Sequence, residues 1–248
     1  MKQIFVGPYN QQKLFTAIKK TTRPTHIALI SVWALLFLIP YAFSNKIFGA
    51  ADSEYSNVVL VGTNSGSGSA VYIGNNNLIT AAHVIEGMTL NDFCEIEFQN
   101  PNDTESRGIQ AEAQLVAMGN YRGDQPDQDF ALLHIVTLDA SKFAKASALG
   151  VSASVNVADN IKVEGFPGGT YSYTEGVVSS IKGAEHPDLF DVSAGAWPGN
   201  SGGALFNKNN QLIGIVILKG SVKVNEGKTY ALKIDKIKRE LQAKGFQL

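Results

Sequence analysis

A serine lies among glycines in the segment Gly199-Asn-Ser-Gly-Gly203, a pattern that can support nucleophilic chemistry. Glycine reaches backbone conformations that a tight turn requires, so such a turn can expose the hydroxyl of Ser201. The backbone N–H groups of Gly199 and Ser201 can then converge on one point and stabilise a negatively charged oxygen. Ser201 is therefore the candidate nucleophile, although clusters of Gly, Ser and Asn are also typical of ordinary turns.

The chain has four histidines, and all of them precede Ser201. The serine segment also fits the G-x-S-x-G nucleophile elbow of α/β-hydrolases, but that arrangement requires its histidine after the serine. The observed order excludes it. Two orders remain open: histidine, aspartate, serine, as in chymotrypsin-type enzymes, and aspartate, histidine, serine, as in subtilisin-type enzymes.

His83 is the candidate general base. It follows a short apolar run, and the small residues Ala81 and Ala82 leave room for other side chains to approach the imidazole. Such an approach is needed because a general base must lie within hydrogen-bond distance of the hydroxyl that it deprotonates. The remaining histidines have non-catalytic explanations. His26 lies at the edge of an apolar segment, His134 lies on a predicted strand, and His186 lies in a loop where a solvated histidine is expected.

The third member of a triad is a carboxylate that holds the imidazole in the correct tautomer. Three aspartates lie close together in the sequence: Asp124, Asp127 and Asp129. Asp129 directly precedes the alternating strand pattern of residues 130–136, so it is the one held most firmly by structure. The other two lie among Gly, Gln and Pro and are expected to be solvated loop acids. Asp129 is the candidate partner of His83; the alternative is a strand-edge acid that prevents edge pairing.

Three segments of the chain resemble the catalytic signatures of chymotrypsin-fold serine proteases, most closely the bacterial HtrA (Deg) type: residues 80–83, 129–133 and 198–205. Four further segments are similar to that family in sequence and order: residues 66–73, 165–168, 176–179 and 212–216. The resemblance covers about residues 51–248. It implies a serine endopeptidase that acts on polypeptides through His83, Asp129 and Ser201, with an oxyanion hole formed by Gly199 and Ser201.

The resemblance also implies where the side chain beside the cleaved bond would bind. The walls of that pocket would come from about residues 193–198 and 217–219, with these candidate residues: Gly195, Trp197, Ile217 and Lys219. Gly195 carries no carboxylate, so we expect an apolar preference rather than one for Arg or Lys. Asn200 is uncharged where digestive members of the fold have an aspartate that pairs with a new N-terminal amine. We therefore expect no activation of that kind.

The elements that must position these residues are mainly strands. Twelve short apolar or alternating runs are separated by Gly, Asn, Asp and Pro: 58–61, 69–73, 77–81, 93–98, 109–118, 130–136, 161–166, 171–181, 189–193, 203–206, 212–218 and 229–234. This pattern predicts an all-β barrel or sandwich, and the resemblance implies two six-stranded antiparallel barrels of the chymotrypsin type. His83 and Asp129 fall in the first six runs and Ser201 in the second six, so the site would form where the barrels meet.

One helix is predicted over residues 235–244, because Ile237 and Leu241 are spaced i, i+4 among polar residues. We expect no PDZ domain, since the sequence ends just after this helix. The only cysteine, Cys94, permits no intrachain disulfide and lies on the apolar side of an alternating strand. No metal-binding spacing occurs, so neither a metal nor a cofactor is expected.

The first fifty residues differ from the rest in charge. They carry six basic residues and no acid, whereas the remainder has a formal charge of −7. Residues 27–43 are apolar and uncharged, and a spanning helix needs about 20 residues (range about 17–25). Because basic residues precede this stretch, we expect an anchor with a cytoplasmic N-terminus. The alternative is a signal peptide cleaved after residues 42–44.

Four segments are thus predicted: a basic segment over 1–26, an anchor or signal segment over 27–43, a tether over 44–56 and a protease domain over 57–248. The domain is expected on the periplasmic or extracellular side, either anchored in the inner or plasma membrane or secreted. Its mildly acidic charge indicates no nucleic-acid partner. The resembled family often forms trimers, so a homo-oligomer is compatible with the sequence. The alternative function is a non-catalytic, chaperone-like peptide-binding module on the same fold.

Overall fold

Alternating side chains give the strand Phe93–Phe98 one buried and one more exposed side, as the sequence predicts. Cys94, Ile96 and Phe98 are buried, whereas Phe93 and Glu95 are exposed. The computed structural model is built mainly from strands of this kind and describes residues 55–64, 66–103, 108–123, 125–183, 186–217 and 229–248. These residues belong to one compact unit, Ser53–Leu248.

The first barrel contains six strands: β1 (Val58–Thr63), β2 (Gly66–Gly74), β3 (Asn77–Thr80), β4 (Phe93–Phe98), β5 (Ile109–Met118) and β6 (Ala131–Ile135). It is closed in the order β1-β2-β3-β6-β5-β4, and its neighbouring strands are antiparallel. Its core includes the fully buried rings of Tyr72 and Phe98, which meet edge to face at 6.1 Å. Closure removes free sheet edges from the half of the molecule that carries His83.

The second barrel follows, with β7 (Ala148–Leu149), β8 (Asn160–Gly165), β9 (Ser172–Ser180), β10 (Leu189–Val192), β11 (Ala204–Asn207), β12 (Gln211–Ile217) and β13 (Thr229–Lys233). Six of these strands run in the order β11-β8-β9-β10-β13-β12, and a β11–β12 pairing closes the barrel. The prediction of two six-stranded antiparallel barrels is confirmed. The two-residue strand β7, which pairs in parallel with β12, was not predicted because it is too short to show periodicity.

The one α-helix among the described residues is α1 (Ile234–Ala243), which begins and ends one residue earlier than predicted. Ile234, Ile237 and Leu241 are buried, and the helix packs against β12 and β13 of the second barrel. Burial of this apolar side, rather than helix propensity alone, holds so short a helix in place.

No helix within the described residues is both long enough and apolar enough to cross a membrane. The basic segment 1–26, the predicted anchor or signal segment 27–43 and most of the tether lie outside those residues.

Candidate active site

His83 lies on a single turn of 3-10 helix, Ala82–Ile85, that follows strand β3. Ala81, Ala82 and Ile85 are buried and fasten this turn to the first barrel. The His83 side chain is 7% exposed. The small residues noted in the sequence therefore let an imidazole sit close to the barrel and still reach the surface.

Asp129 contacts His83 through both of its carboxylate oxygens. Oδ2 lies 2.6 Å from His83 Nδ1, and Oδ1 accepts the backbone N–H of His83 at 2.9 Å. The Asp129 side chain is fully buried. Because a carboxylate can only accept, this contact assigns a proton to Nδ1 and leaves Nε2 of the neutral imidazole as an acceptor.

A short 3-10 turn, Pro126–Gln128, delivers Asp129 to this position. The Asp129 N–H donates to the Pro126 carbonyl at 3.3 Å, and the Phe130 N–H donates to the Gln128 carbonyl at 2.9 Å. Phe130 itself is fully buried immediately before β6. The carboxylate thus projects from a backbone held between one hydrogen-bonded turn and the barrel core.

The serine loop of the second barrel rests on strand β2 of the first. The Ser69 N–H donates to the Ser201 carbonyl at 2.8 Å, and the Ser69 hydroxyl donates to the Gly199 carbonyl at 2.7 Å. The same hydroxyl accepts the N–H of Phe166 at 2.9 Å. Ser69 is fully buried, and the sequence pattern did not single it out. A polar residue entering an otherwise apolar strand run is the signal that marks it.

Two glycines allow this close approach. Gly202 has a φ of +79°, and a Cβ there would collide with the Ser69 carbonyl and the Thr80 hydroxyl. Gly199 has a φ of +103°, and a Cβ there would meet the carbonyl of Phe166. Thr80 ends β3 three residues before His83. The serine loop is thereby seated beside the turn that carries His83.

The N–H groups of the loop divide into two sets. Three donate to backbone carbonyls of the protein: Asn200 to Trp197 and Gly203 to Asn200 within the loop, and Gly202 to Val216 on β12, at 2.8–2.9 Å. Among the described residues, the N–H groups of Gly199 and Ser201 have no hydrogen-bond acceptor. They are the pair that the sequence indicated as an oxyanion hole.

The Asn200 side chain points inward and is 1% exposed as a residue. Its Oδ1 has no hydrogen-bond partner and lies against Gly165. A neutral amide tolerates this position better than a carboxylate would, because an unpaired buried charge costs far more free energy than an unpaired amide.

The residues predicted for the substrate pocket lie in different settings. The Trp197 ring lies against Gly195, and the tryptophan is 52% exposed. The Gly195 carbonyl accepts the Thr174 hydroxyl at 2.8 Å. Ile217 is the last residue of β12 and is 1% exposed, whereas Lys219 lies outside the described residues.

An aromatic residue that the sequence did not indicate, Tyr121, lies beside His83. The centroids of the two rings are 6.3 Å apart.

Three of the other histidine and aspartate candidates contact neighbouring polar side chains. His134 Nδ1 is 2.9 Å from Asn77 Oδ1 on the neighbouring strand, in keeping with a structural role. Asp127 is not the solvated loop acid that was expected, since Lys236 Nζ lies 3.3 Å from its Oδ2. His186 Nε2 lies 3.8 Å from Asp127 Oδ1, so this loop histidine is not simply solvated either. Asp124 and His26 lie outside the described residues.

No cluster of three or more His, Cys, Asp or Glu side chains in the described part of the chain is arranged to hold a metal ion.

Two six-stranded barrels, with a histidine–aspartate pair on one and a serine loop from the other seated beside it, define the chymotrypsin-type architecture. The family model of the trypsin-like peptidase domain matches residues 68–215, which is more than half of the chain. The chain belongs to the trypsin-like peptidase domain family. The predicted resemblance to HtrA-like serine proteases is confirmed by the relatives below.

An HtrA-like serine protease of Staphylococcus epidermidis is 26% identical over 281 aligned residues, which cover 94% of this chain and 47% of that protein. The chain therefore spans about half the length of this relative. The solved HtrA-type protease AlgW with a tripeptide is 27% identical with a TM-score of 0.58, covering 78% of this chain and 60% of that one. The inactive form of the Rv3671c protease of M. tuberculosis matches in fold, with 20% identity, a TM-score of 0.58, and coverage of 79% and 91%.

Proposed function

We propose that this chain is a serine endopeptidase that hydrolyses peptide bonds with Ser201 as nucleophile, His83 as general base and Asp129 as the group that orients His83. The observation that carries the proposal is the double contact of the buried Asp129 carboxylate with His83. Family membership supports the same chemistry. A serine hydroxyl is a weak nucleophile, so a base held at the right tautomer is what makes it reactive.

The reaction proceeds in two halves. Ser201 Oγ attacks the carbonyl carbon of the substrate as its proton passes to His83 Nε2. The tetrahedral intermediate collapses when the imidazolium donates that proton to the departing amine, which leaves an acyl group on Ser201. A water molecule, deprotonated by Nε2, then attacks the acyl carbon and releases the carboxylic acid and the free serine.

The negative charge that develops on the carbonyl oxygen is stabilised by the N–H groups of Gly199 and Ser201. This part of the proposal rests on the hydrogen bonds of the loop: the N–H groups of Gly199 and Ser201 have no acceptor among the described residues. Loss of one such donor typically costs about 100- to 1000-fold in kcat. Both donors belong to the backbone, so the loop conformation rather than a side chain supplies this stabilisation.

The side chain next to the cleaved bond is proposed to be apolar and to bind near Gly195 and Trp197; Ile217 and Lys219 are included in the proposed pocket on the family resemblance alone. Gly195 brings no charge to this position, and the indole beside it is half exposed. An exposed aromatic surface favours apolar contact with a substrate. The solved AlgW complex with a tripeptide supports polypeptides as the substrate class.

The domain is proposed to act outside the cytoplasm, in protein processing or quality control, and to be attached to the membrane through residues 27–43 if these are not cleaved. The uncharged stretch and the basic residues before it support this orientation. Homo-oligomerisation is a further proposal, supported only by the family.

A fluorophosphonate probe, which reacts with activated serines, tests the catalytic proposal on the full-length chain. Wild type and Ser67→Ala, which changes an exposed serine on β2, are expected to become labelled, and Ser201→Ala is expected not to. Equal labelling of Ser201→Ala and wild type would assign the reactivity to another residue. Absence of labelling in wild type, together with binding of unfolded polypeptide, would favour the chaperone-like alternative instead.

A further inference from the structure

The C-terminal helix α1 reaches the turn that carries the catalytic aspartate. Lys236 Nζ on α1 lies 3.3 Å from Asp127 Oδ2 and 2.9 Å from Glu240 Oε1, one helical turn further on. The other oxygen of Asp127 lies 3.8 Å from His186 Nε2. These four residues, Asp127, His186, Lys236 and Glu240, are called the helix–turn ion cluster below.

The Lys236–Asp127 pair within this cluster is shielded from solvent more than an ordinary surface ion pair. The Lys236 side chain is 13% exposed and that of Asp127 is 22% exposed. Burial raises the pKa of Asp127, but hydrogen bonds from Gln128 and Lys236 outweigh burial and bring the pKa below its usual value. Burial likewise lowers the pKa of Lys236, and Glu240 and Asp127 more than reverse this. Both ions are therefore charged across the neutral range, and reduced screening strengthens their attraction.

The two sides of the cluster belong to different barrels. The helix α1 is fixed to the second barrel by Ile234, Ile237 and Leu241, all fully buried. Asp127 belongs to the turn Pro126–Gln128, which leads into β6 of the first barrel. The cluster thus joins the barrel that carries Ser201 to the turn that delivers Asp129.

A displacement of this turn would act directly on the catalytic carboxylate. Asp129 follows Asp127 by two residues, and its N–H is bonded to Pro126 at the start of the same turn. Asp129 in turn holds His83 through two short contacts. Because misplacement of a catalytic group by about 1 Å can cost about 100-fold in rate, a partial loosening has a measurable effect.

We infer that Lys236 is a positioning residue of the active site, which holds the Asp127 turn so that Asp129 keeps His83 aligned with Ser201. This inference rests on the proposed function for its kinetic consequence. Its structural consequence, a fixed His83–Asp129 contact, can be measured without any activity.

The kinetic test uses Lys236→Gln in the full-length chain with a peptide substrate. We expect kcat to fall about threefold to tenfold, with KM changed less than about twofold, because the turn lies behind the triad rather than in the substrate path. Lys236→Arg keeps the charge and is expected to restore most of kcat. Lys238→Gln is the matched control, since Lys238 lies on the same helix and has no ion pair among the described residues.

The structural test follows the proton shared by His83 Nδ1 and Asp129, which gives a far-downfield proton NMR signal in such pairs. In Lys236→Gln this signal is expected to broaden or shift, whereas Lys238→Gln and Lys236→Arg are expected to keep the wild-type signal. An unchanged signal and an unchanged kcat in Lys236→Gln would overturn the inference.

The two proposals fail in different ways. A wild-type chain that shows no hydrolysis and no fluorophosphonate labelling would refute the proposed function, and the NMR comparison would still decide whether Lys236 holds the His83–Asp129 pair. A labelled, active wild type with an equally active Lys236→Gln and equal NMR signals would refute the positioning role alone. Loss of folding in Lys236→Gln, seen as loss of cooperative unfolding, would also contradict a role confined to positioning.

Discussion

Asp129 holds both the ring and the backbone of His83, with Oδ2 2.6 Å from Nδ1 and Oδ1 2.9 Å from the backbone nitrogen. A single buried carboxylate therefore sets the tautomer of the imidazole and the position of the turn that carries it. A neutral amide cannot perform both functions at once, because it presents one acceptor and one donor group where two acceptors are needed.

We expect Asp129→Asn to lower kcat by about 10⁴-fold, since the amide would stabilise the wrong tautomer of His83. Peptide hydrolysis and the rate of fluorophosphonate labelling both measure this loss. The control is Asp159→Asn, which neutralises an exposed aspartate in the second barrel. A fall of less than about tenfold would mean that Asp129 does not orient the catalytic base.

Ser69→Ala is expected to lower kcat about tenfold through the oxyanion site. The change leaves the Gly199 carbonyl and the Phe166 N–H without the hydroxyl that now bonds both. Each unsatisfied group costs about 1–3 kcal/mol, and the peptide between Gly199 and Asn200 loses an anchor, which loosens the loop conformation that holds the Gly199 N–H in place. Steady-state kinetics and chemical denaturation measure the two effects together.

The comparison for Ser69→Ala is Ser67→Ala, which alters an exposed serine on the same strand. It is expected to leave both kcat and the unfolding midpoint near the wild-type values. If Ser69→Ala lowered stability but left kcat unchanged, the hydroxyl would support the fold without organising the oxyanion site.

The contacts that the sequence could predict are those whose residues carry their own local signal. His83 follows a strand and small residues, Asp129 precedes an alternating strand, and Ser201 lies among glycines. Each of these patterns reflects a local requirement for space, for firm attachment or for unusual backbone angles. The all-β class was likewise predictable, because strand alternation and turn residues repeat along the chain, whereas the division into two six-stranded barrels was implied by the family resemblance.

The supporting contacts had no such signal. Asp127 and Lys236 are separated by more than a hundred positions and meet only because α1, packed on the second barrel, lies beside the turn Pro126–Gln128. Ser69 reaches Gly199 across the junction of the barrels, which depends on how strand β2 faces the serine loop. Pairings of this kind follow from tertiary packing. Residue types alone therefore led to the prediction that Asp127 is a solvated loop acid.

Cys94 is expected to be unreactive in the folded protein. Burial raises the pKa of its thiol to about 11, which lowers the thiolate fraction at pH 8 by about 100-fold relative to an exposed cysteine. Ellman's reagent should therefore modify Cys94 slowly in native buffer and rapidly in denaturant. The control is Ser67→Cys in a Cys94→Ala background, which places the only thiol on the exposed side of β2 and should react at once.

The same shift sets a pH dependence of stability. Because the folded pKa is the higher one, the contribution of the thiol is fully present below the ordinary cysteine pKa and is lost as pH rises through about 11. Unfolding midpoints measured above pH 9 should fall less steeply in Cys94→Ala than in wild type. Native Cys94 that reacted as fast as the exposed Ser67→Cys thiol would contradict the buried placement.

Asn200→Asp is expected to destabilise the fold by about 3–5 kcal/mol at neutral pH, because it buries a carboxylate with no cationic partner among the described residues. Burial would raise the pKa of the new carboxyl, so the sign of the pH effect is fixed: the loss is smaller at low pH, where the group is neutral, and grows as pH rises. Thermal unfolding at pH 5 and pH 8 measures this difference.

The control is Asn209→Asp, which lies in an exposed turn and should change the unfolding midpoint little at either pH. A stable Asn200→Asp protein at pH 8 would mean that a cation reaches this position and would contradict the unpaired burial of the side chain.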